Sequence, residues 1–167
     1  MDSLMSIAGT LERSAVGLAI AEGRYAFPLI EGIHLIGLSV AVGLILLIDL
    51  RLLGVFLPAG PVRALHRQLQ PYVFGGFGII IVAGVLLFLS EASTVIASPP
   101  WPFKAFFFLV ATVNALYFEF VIARRPAAFP EGGPLPKAVR YAAFASLSLW
   151  VLVIVCGRLI PYIPHWT

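Results

Sequence analysis

Charge is what this chain of 167 residues has least of: 11 Lys and Arg with 8 Asp and Glu, or 11% of residues, against 60% hydrophobic. A soluble domain carries roughly 25% charged residues, so the composition excludes an ordinary water-soluble fold. Cysteine is almost absent too. The single thiol, Cys156, lies inside an apolar run, which excludes an internal disulfide and any thiolate cage for zinc or iron–sulfur from this chain alone. There is no phosphate loop, nucleophile elbow or HExxH motif. GGFG at 75–78 sits within an apolar run and is not a dinucleotide fingerprint. The net charge of +3 and pI of about 9.4 do not point to nucleic acid. The basic residues stand in short segments beside apolar runs, which is the pattern of membrane topology.

What is present is long apolar sequence, with a mean hydropathy of +1.00. About 20 residues of helix cross ~30 Å of hydrocarbon, and this length suits four spans and little else. The sequence therefore predicts an all-α fold: an integral membrane four-helix bundle in one domain over 1–167, with spans at about 27–54, 71–91, 104–123 and 140–160. Residues 1–24 lack the basic start of a signal peptide. Leu4, Ile7, Ala8, Leu11, Ala15 and Leu18 recur at helical spacing there, which predicts one amphipathic helix lying in the interface. Pro58, Gly60 and Pro61 break the first span; residues 62–70, with Arg63, His66 and Arg67, read as a polar linker. Pro71 suits the first turn of the second span, and Glu91 ends it. SPPWPF at 98–103 is a rigid turn with Trp101 as interfacial anchor, and RRPAAFPEGGPLPK is the loop before the last span.

The first span is the most informative. Glu31 and His34 are three apart and share a helix face. Asp49 returns five turns later to the same azimuth, with Leu38, Ala41 and Ile45 between. Ionisable groups in lipid cost at least ~2.5 kcal/mol near the centre, so this stripe should face protein or a cavity. A second stripe of Gly32, Ser39 and Gly43 is small, which predicts close approach of another helix.

Arg51, Arg63, Arg67, Arg124, Arg125, Lys137 and Arg140 fall in the first and third loops; Arg13, Arg24, Lys104 and Arg158 lie on the other side. The positive-inside rule predicts the first and third loops in the cytoplasm of a bacterial inner membrane, with both termini outside. Glu31, His34, Glu91, Lys104, Arg158 and His165 then share the outer half, and this is the predicted site. Glu31, His34, Lys104 and Asn114 are the candidate cofactor-binding residues. His34 can be an axial ligand of haem b or hydrogen-bond a quinone carbonyl, with Glu31 orienting the imidazole or carrying a proton. A second axial ligand is not obvious: His66 is across the membrane, and His165 is shallow, beyond Pro161 and Pro164. The alternative is a buried Glu–His–Lys network that fixes helix registry. Asp49 and Arg51 read as an interfacial charge pair or as snorkelling side chains, and mid-span Asn114 as a bond to a neighbouring helix.

FPLIEGIHLIGL, DLRLLG, GGFG opening the second span, FK opening the third and the Asn of VNALYF resemble a bacterial family of small four-span inner-membrane proteins, a domain of unknown function, over roughly residues 20–125. The resemblance implies that Glu31, His34, Asp49, Arg51, Lys104 and Asn114 are that family's polar set. The short His-Leu-Ile-Gly pattern of the first span is distantly similar to copper-resistance D proteins and to membrane protoporphyrinogen oxidases, which are four-helix proteins associated with haem b. The expectation is a redox-associated membrane subunit with a haem b or quinone site, serving electron transfer or anchoring for a partner protein and not an enzyme by itself. The alternatives are a structural subunit without a cofactor and an ion or proton transporter.

Overall fold

The computed structural model describes residues 2–56, 61–130 and 134–163. Among them are six α-helices and no strand: α1 Asp2–Glu12, α2 Ala15–Glu22, α3 Ala26–Leu53, α4 Val62–Ala97, α5 Pro100–Tyr117 and α6 Lys137–Leu159, with a π turn at Phe118–Ile122 and a 3-10 turn at Pro126–Ala128. Four helical stretches are long and apolar enough to cross a membrane: α3, α4, α5 together with its π turn, and α6. The all-α expectation holds.

Element boundaries depart from the sequence reading in informative places. The N-terminal stretch is two helices bent by 67°, because Ser14 caps a new helix with its hydroxyl accepting from Gly17 N–H at 3.1 Å. Gly17 is required there: a Cβ would stand 2.7 Å from the Leu89 carbonyl of α4. Residues 62–70, expected as a linker, are the first turns of α4. Val62, Leu65, His66 and Leu69 are half-buried while Arg63, Arg67 and Gln68 are exposed, which is a 3.6-residue alternation. Pro71 thus lies inside the helix, with its ring at the surface. Glu91 interrupts α4 without ending it: its φ of −139° and ψ of 30° break the ladder. Ser93, just past the break, gives both its N–H and its hydroxyl to the Glu12 carboxylate, at 2.7 and 2.8 Å.

Packing follows the small and apolar faces. α3 lies along α4, α5 along α6, and the two pairs meet through α3 and α6; α1 and α2 lie on α4, while α4 and α5 barely touch. Gly76 of α4 admits α3, since a Cβ there would be 2.8 Å from Ala41 Cβ. On α3 the stripe is buried, as expected, at Ala41, Ile45 and Asp49 and half-buried at His34 and Leu38, but Glu31 at its start is exposed, contrary to the expectation. The stripe of Gly32, Ser39 and Gly43 does not receive another helix. A Cβ at Gly32 or Gly43 would meet nothing within 4 Å, and Ser39 is exposed, its hydroxyl returned to Leu35 O at 2.9 Å. The reason is azimuth: that stripe lies roughly 140° round the helix from the buried one, and α4 and α6 already occupy the inner side. The glycine that does receive α4 is Gly37, whose Cβ would lie 2.9 Å from Ile79 Cγ2.

Candidate ligand-binding site

The bundle has two polar ends. At the turn end lie α1, α2, the start of α3 and the 98–100 turn; at the basic end lie the connections between α3 and α4 and between α5 and α6.

At the turn end, His34 has its Nδ1 3.1 Å from the Ile80 carbonyl. A carbonyl only accepts, so Nδ1 carries the hydrogen. Its ring fits because residue 84 is glycine; a Cβ there would stand 3.1 Å from His34 Cε1. Lys104 and Glu31 are its charged neighbours. The Lys104 stem lies against Gly157 of α6, where a Cβ would meet Cε at 3.3 Å. Glu31 is exposed. Glu91 shares its surroundings with Glu31 and Glu12. His165 lies outside the described residues. Three of the sequence-predicted residues, Glu31, His34 and Lys104, are therefore together.

Asn114 is not with them. Ten residues along α5 is about 15 Å, and Asn114 instead donates to the Ala142 carbonyl of α6 at 3.1 Å. It lines a cavity of about 290 Å³ nearer the basic end. This cavity exists because α4 and α5 diverge. Phe74 and Ile81 of α4 and Leu116 of α5 form its rim and are exposed on the outer surface of the bundle, so it opens sideways. α3 and α6 form its floor through Ile45, Asp49, Ser146 and Trp150.

The floor is buried and polar. Asp49 is 5% exposed and Trp150 2%. The Ser146 hydroxyl lies beside the Asp49 carboxylate. Asp49 Oδ2 and Trp150 Nε1 have no hydrogen-bond partner among the described residues. The indole is held by Phe77 and Phe108, with ring centroids 5.0 and 6.0 Å away. Asp49 therefore does not snorkel at the interface as expected; α3 carries it inward on the same stripe as Ile45. On the basic side the cavity is latched. Glu119 of the π turn accepts from Gln70 Nε2 and faces His66 Nε2 at 3.2 Å. His66 is itself set between the rings of Phe118 and Phe129, both 5.6 Å away.

Sequence reasoning did not identify Gln70, Glu119, Ser146 or Trp150 as site residues. Glu119 carried a usable signal, being an acidic residue inside an apolar run. Ser146 and Trp150, four apart, share a face of α6, but serine and tryptophan are ordinary residues in a span.

Chemically, the cavity is an apolar slot with one free acceptor and one indole donor at its base. It suits a flat, mostly apolar molecule whose carbonyl takes the Trp150 hydrogen and whose hydroxyl or N–H meets Asp49.

These features define the class: an all-α protein with four helical segments long and apolar enough to cross a membrane and a polar-floored cavity among them. A model of a family of unknown function, DUF6644, matches residues 13–163, and the chain belongs to that family. The match extends beyond 20–125 and takes in α6, with Ser146 and Trp150. No curated protein and no solved structure matches the chain.

Proposed function

We propose that this chain is a small subunit of the bacterial inner membrane that holds a lipophilic ring of the quinone type in the cavity between α4 and α5, for a partner protein that carries out the electron transfer. The observation that carries this reading is the pair of unsatisfied atoms, Asp49 Oδ2 and Trp150 Nε1, buried at the floor of a cavity that opens sideways. A buried polar group without a partner costs about 1–3 kcal/mol, and a ligand bearing one donor and one acceptor would recover both. Sideways opening matches a molecule that arrives from lipid. A quinone, when bound, supplies reversible two-electron, two-proton chemistry. The chain's own residues would seat its ring against the Trp150 indole, which Phe77 and Phe108 hold in place, and exclude water with the Gln70–Glu119 latch.

Haem b fits less well. The Nδ1 bond of His34 to a carbonyl is what an axial histidine makes, but His34 does not line the cavity between α4 and α5. His66 is taken up by Glu119. In this reading His34 fixes the registry of α3 on α4.

The test is solvent extraction of the purified protein, followed by isothermal titration with a short-chain quinone. Wild type and His34→Ala should bind; Asp49→Leu should not. A wild type free of quinone that takes up none when titrated would overturn the reading and leave a structural subunit. Orientation is tested separately in a Cys156→Ser background. Single cysteines at Ser3 and Gln68 should label from opposite sides, Ser3 from outside. Labelling of Ser3 from the cytoplasm would invert the arrangement.

A further inference from the structure

The second cavity is an open cleft of about 1700 Å³ at the basic end, and it carries a different chemistry. Arg63 and Arg67 of α4, Arg124 after the π turn and Arg140 of α6 line it, together with Arg51. Arg51 is buried and has an interaction of its own within the chain, which leaves Arg63, Arg67, Arg124 and Arg140. No acidic residue is among the described lining residues, and none of the four forms an ion pair among the described residues. Two are held in place by uncharged contacts. Arg63 donates from Nη2 to the Pro126 carbonyl at 3.2 Å and lies over the Phe129 ring at 5.4 Å. Arg124 lies over the Phe120 ring at 5.1 Å. These contacts position the guanidinium groups without neutralising them.

Membrane topology alone accounts for basic residues on one side. It does not require that they converge on one cleft, or that they all be arginine. Arginine presents a planar fork of donors that matches phosphate oxygens. Like charges gathered without counter-charge repel, and an oxyanion among them relieves that repulsion. The cleft also has apolar walls, Leu52, Leu53 and Leu135, and lies where the apolar helices end, the depth of lipid phosphates in the proposed arrangement. We propose that this cleft binds the phosphate of an anionic phospholipid headgroup, with Arg63, Arg67, Arg124 and Arg140 as its ligands and the apolar walls against the first carbons of the acyl chains.

The test uses the full chain in detergent micelles doped with equal phosphatidylglycerol and phosphatidylcholine, with retained lipid counted by native mass spectrometry. Phosphatidylglycerol should be retained preferentially. Arg67→Gln with Arg140→Gln, both exposed positions that leave the Arg63 contacts intact, should lower that preference roughly tenfold. Arg24→Gln at the turn end should leave it unchanged. Equal retention of the two lipids, or a preference untouched by the double substitution in a protein of unaltered thermal stability, would overturn the proposal. Displacement of phosphatidylglycerol by millimolar inorganic phosphate would overturn the lipid source and assign the cleft to a soluble phosphate compound.

Discussion

At the turn end, His34 has a carbonyl 3.1 Å away and Glu12 takes two hydrogens from Ser93. On the floor of the cavity between α4 and α5, Asp49 Oδ2 and Trp150 Nε1 are more deeply buried and have no partner among the described residues. Both regions put polar groups inside an apolar bundle, but the pair on the cavity floor is left incomplete. A completed polar contact holds two helices at one registry, and its removal should cost stability. An incomplete one weakens the empty protein, and its removal should cost function instead.

The largest effect should come from filling the seat of the imidazole. Gly84→Leu forces His34 off the Ile80 carbonyl and should lower stability in detergent by about 3 kcal/mol. Gly43→Leu, at a position open to the outside, should change it by no more than about 0.5 kcal/mol. Equal losses from the two would show that the Gly32–Gly43 stripe packs in an assembly.

Next in size is a difference in sign. His34→Ala should destabilise by about 2 kcal/mol through lost packing and a lost hydrogen bond. Asp49→Leu should raise the thermal stability of the ligand-free protein, by about 1 kcal/mol, while abolishing quinone uptake. If Asp49→Leu destabilises as His34→Ala does, the contrast between the two regions is broken and Asp49 is structural.

Smaller still is Trp150→Phe, which keeps an aromatic ring between Phe77 and Phe108 and removes the donor. Affinity for a short-chain quinone should fall about tenfold, the equivalent of one hydrogen bond, as read by isothermal titration. The smallest effect should be that of Glu119→Gln. Its partner His66 has a side chain 11% exposed, and Glu119 itself is 18% exposed; the loss should be about 0.5–1 kcal/mol in a thermal melt.

The spans were legible because an uninterrupted apolar run has few other fates, and the buried part of the α3 stripe was legible at Asp49, deep in the span, though not at Glu31, which lies near the helix start and is exposed. The latch was hidden by Pro71. A proline after a polar stretch reads as a helix start, so His66 and Gln70 read as linker residues. Yet Val62, Leu65, His66 and Leu69 already held the helical period, and a single exposed proline costs one rung that a long helix tolerates. The cavity itself was not legible. It arises from the divergence of α4 from α5, a property of how two helix pairs lean on each other, and no single stretch encodes it. The misplaced glycine stripe has a related cause: small residues mark where a helix can approach, and only the azimuth of the other contacts decides whether one does.

The π turn after α5 can be restated as an insertion. Phe118–Ile122 closes with Ala123 N–H on the Phe118 carbonyl at 2.7 Å, so one residue more than an α turn is absorbed without a loop. Everything upstream keeps the azimuth set by α6; everything downstream is turned by about 100° relative to an uninterrupted helix. Ile122 reaches the core of Leu52 and Val139 from that rotated frame. Removing a single residue at 121 would turn the segment into a plain α-helix and leave Ile122 facing the same core, because the deletion sets it back by the same 100° that the π turn does. Length at this point of the chain is therefore adjustable by one residue, and a relative one residue shorter here would close its basic end the same way on an unbroken helix.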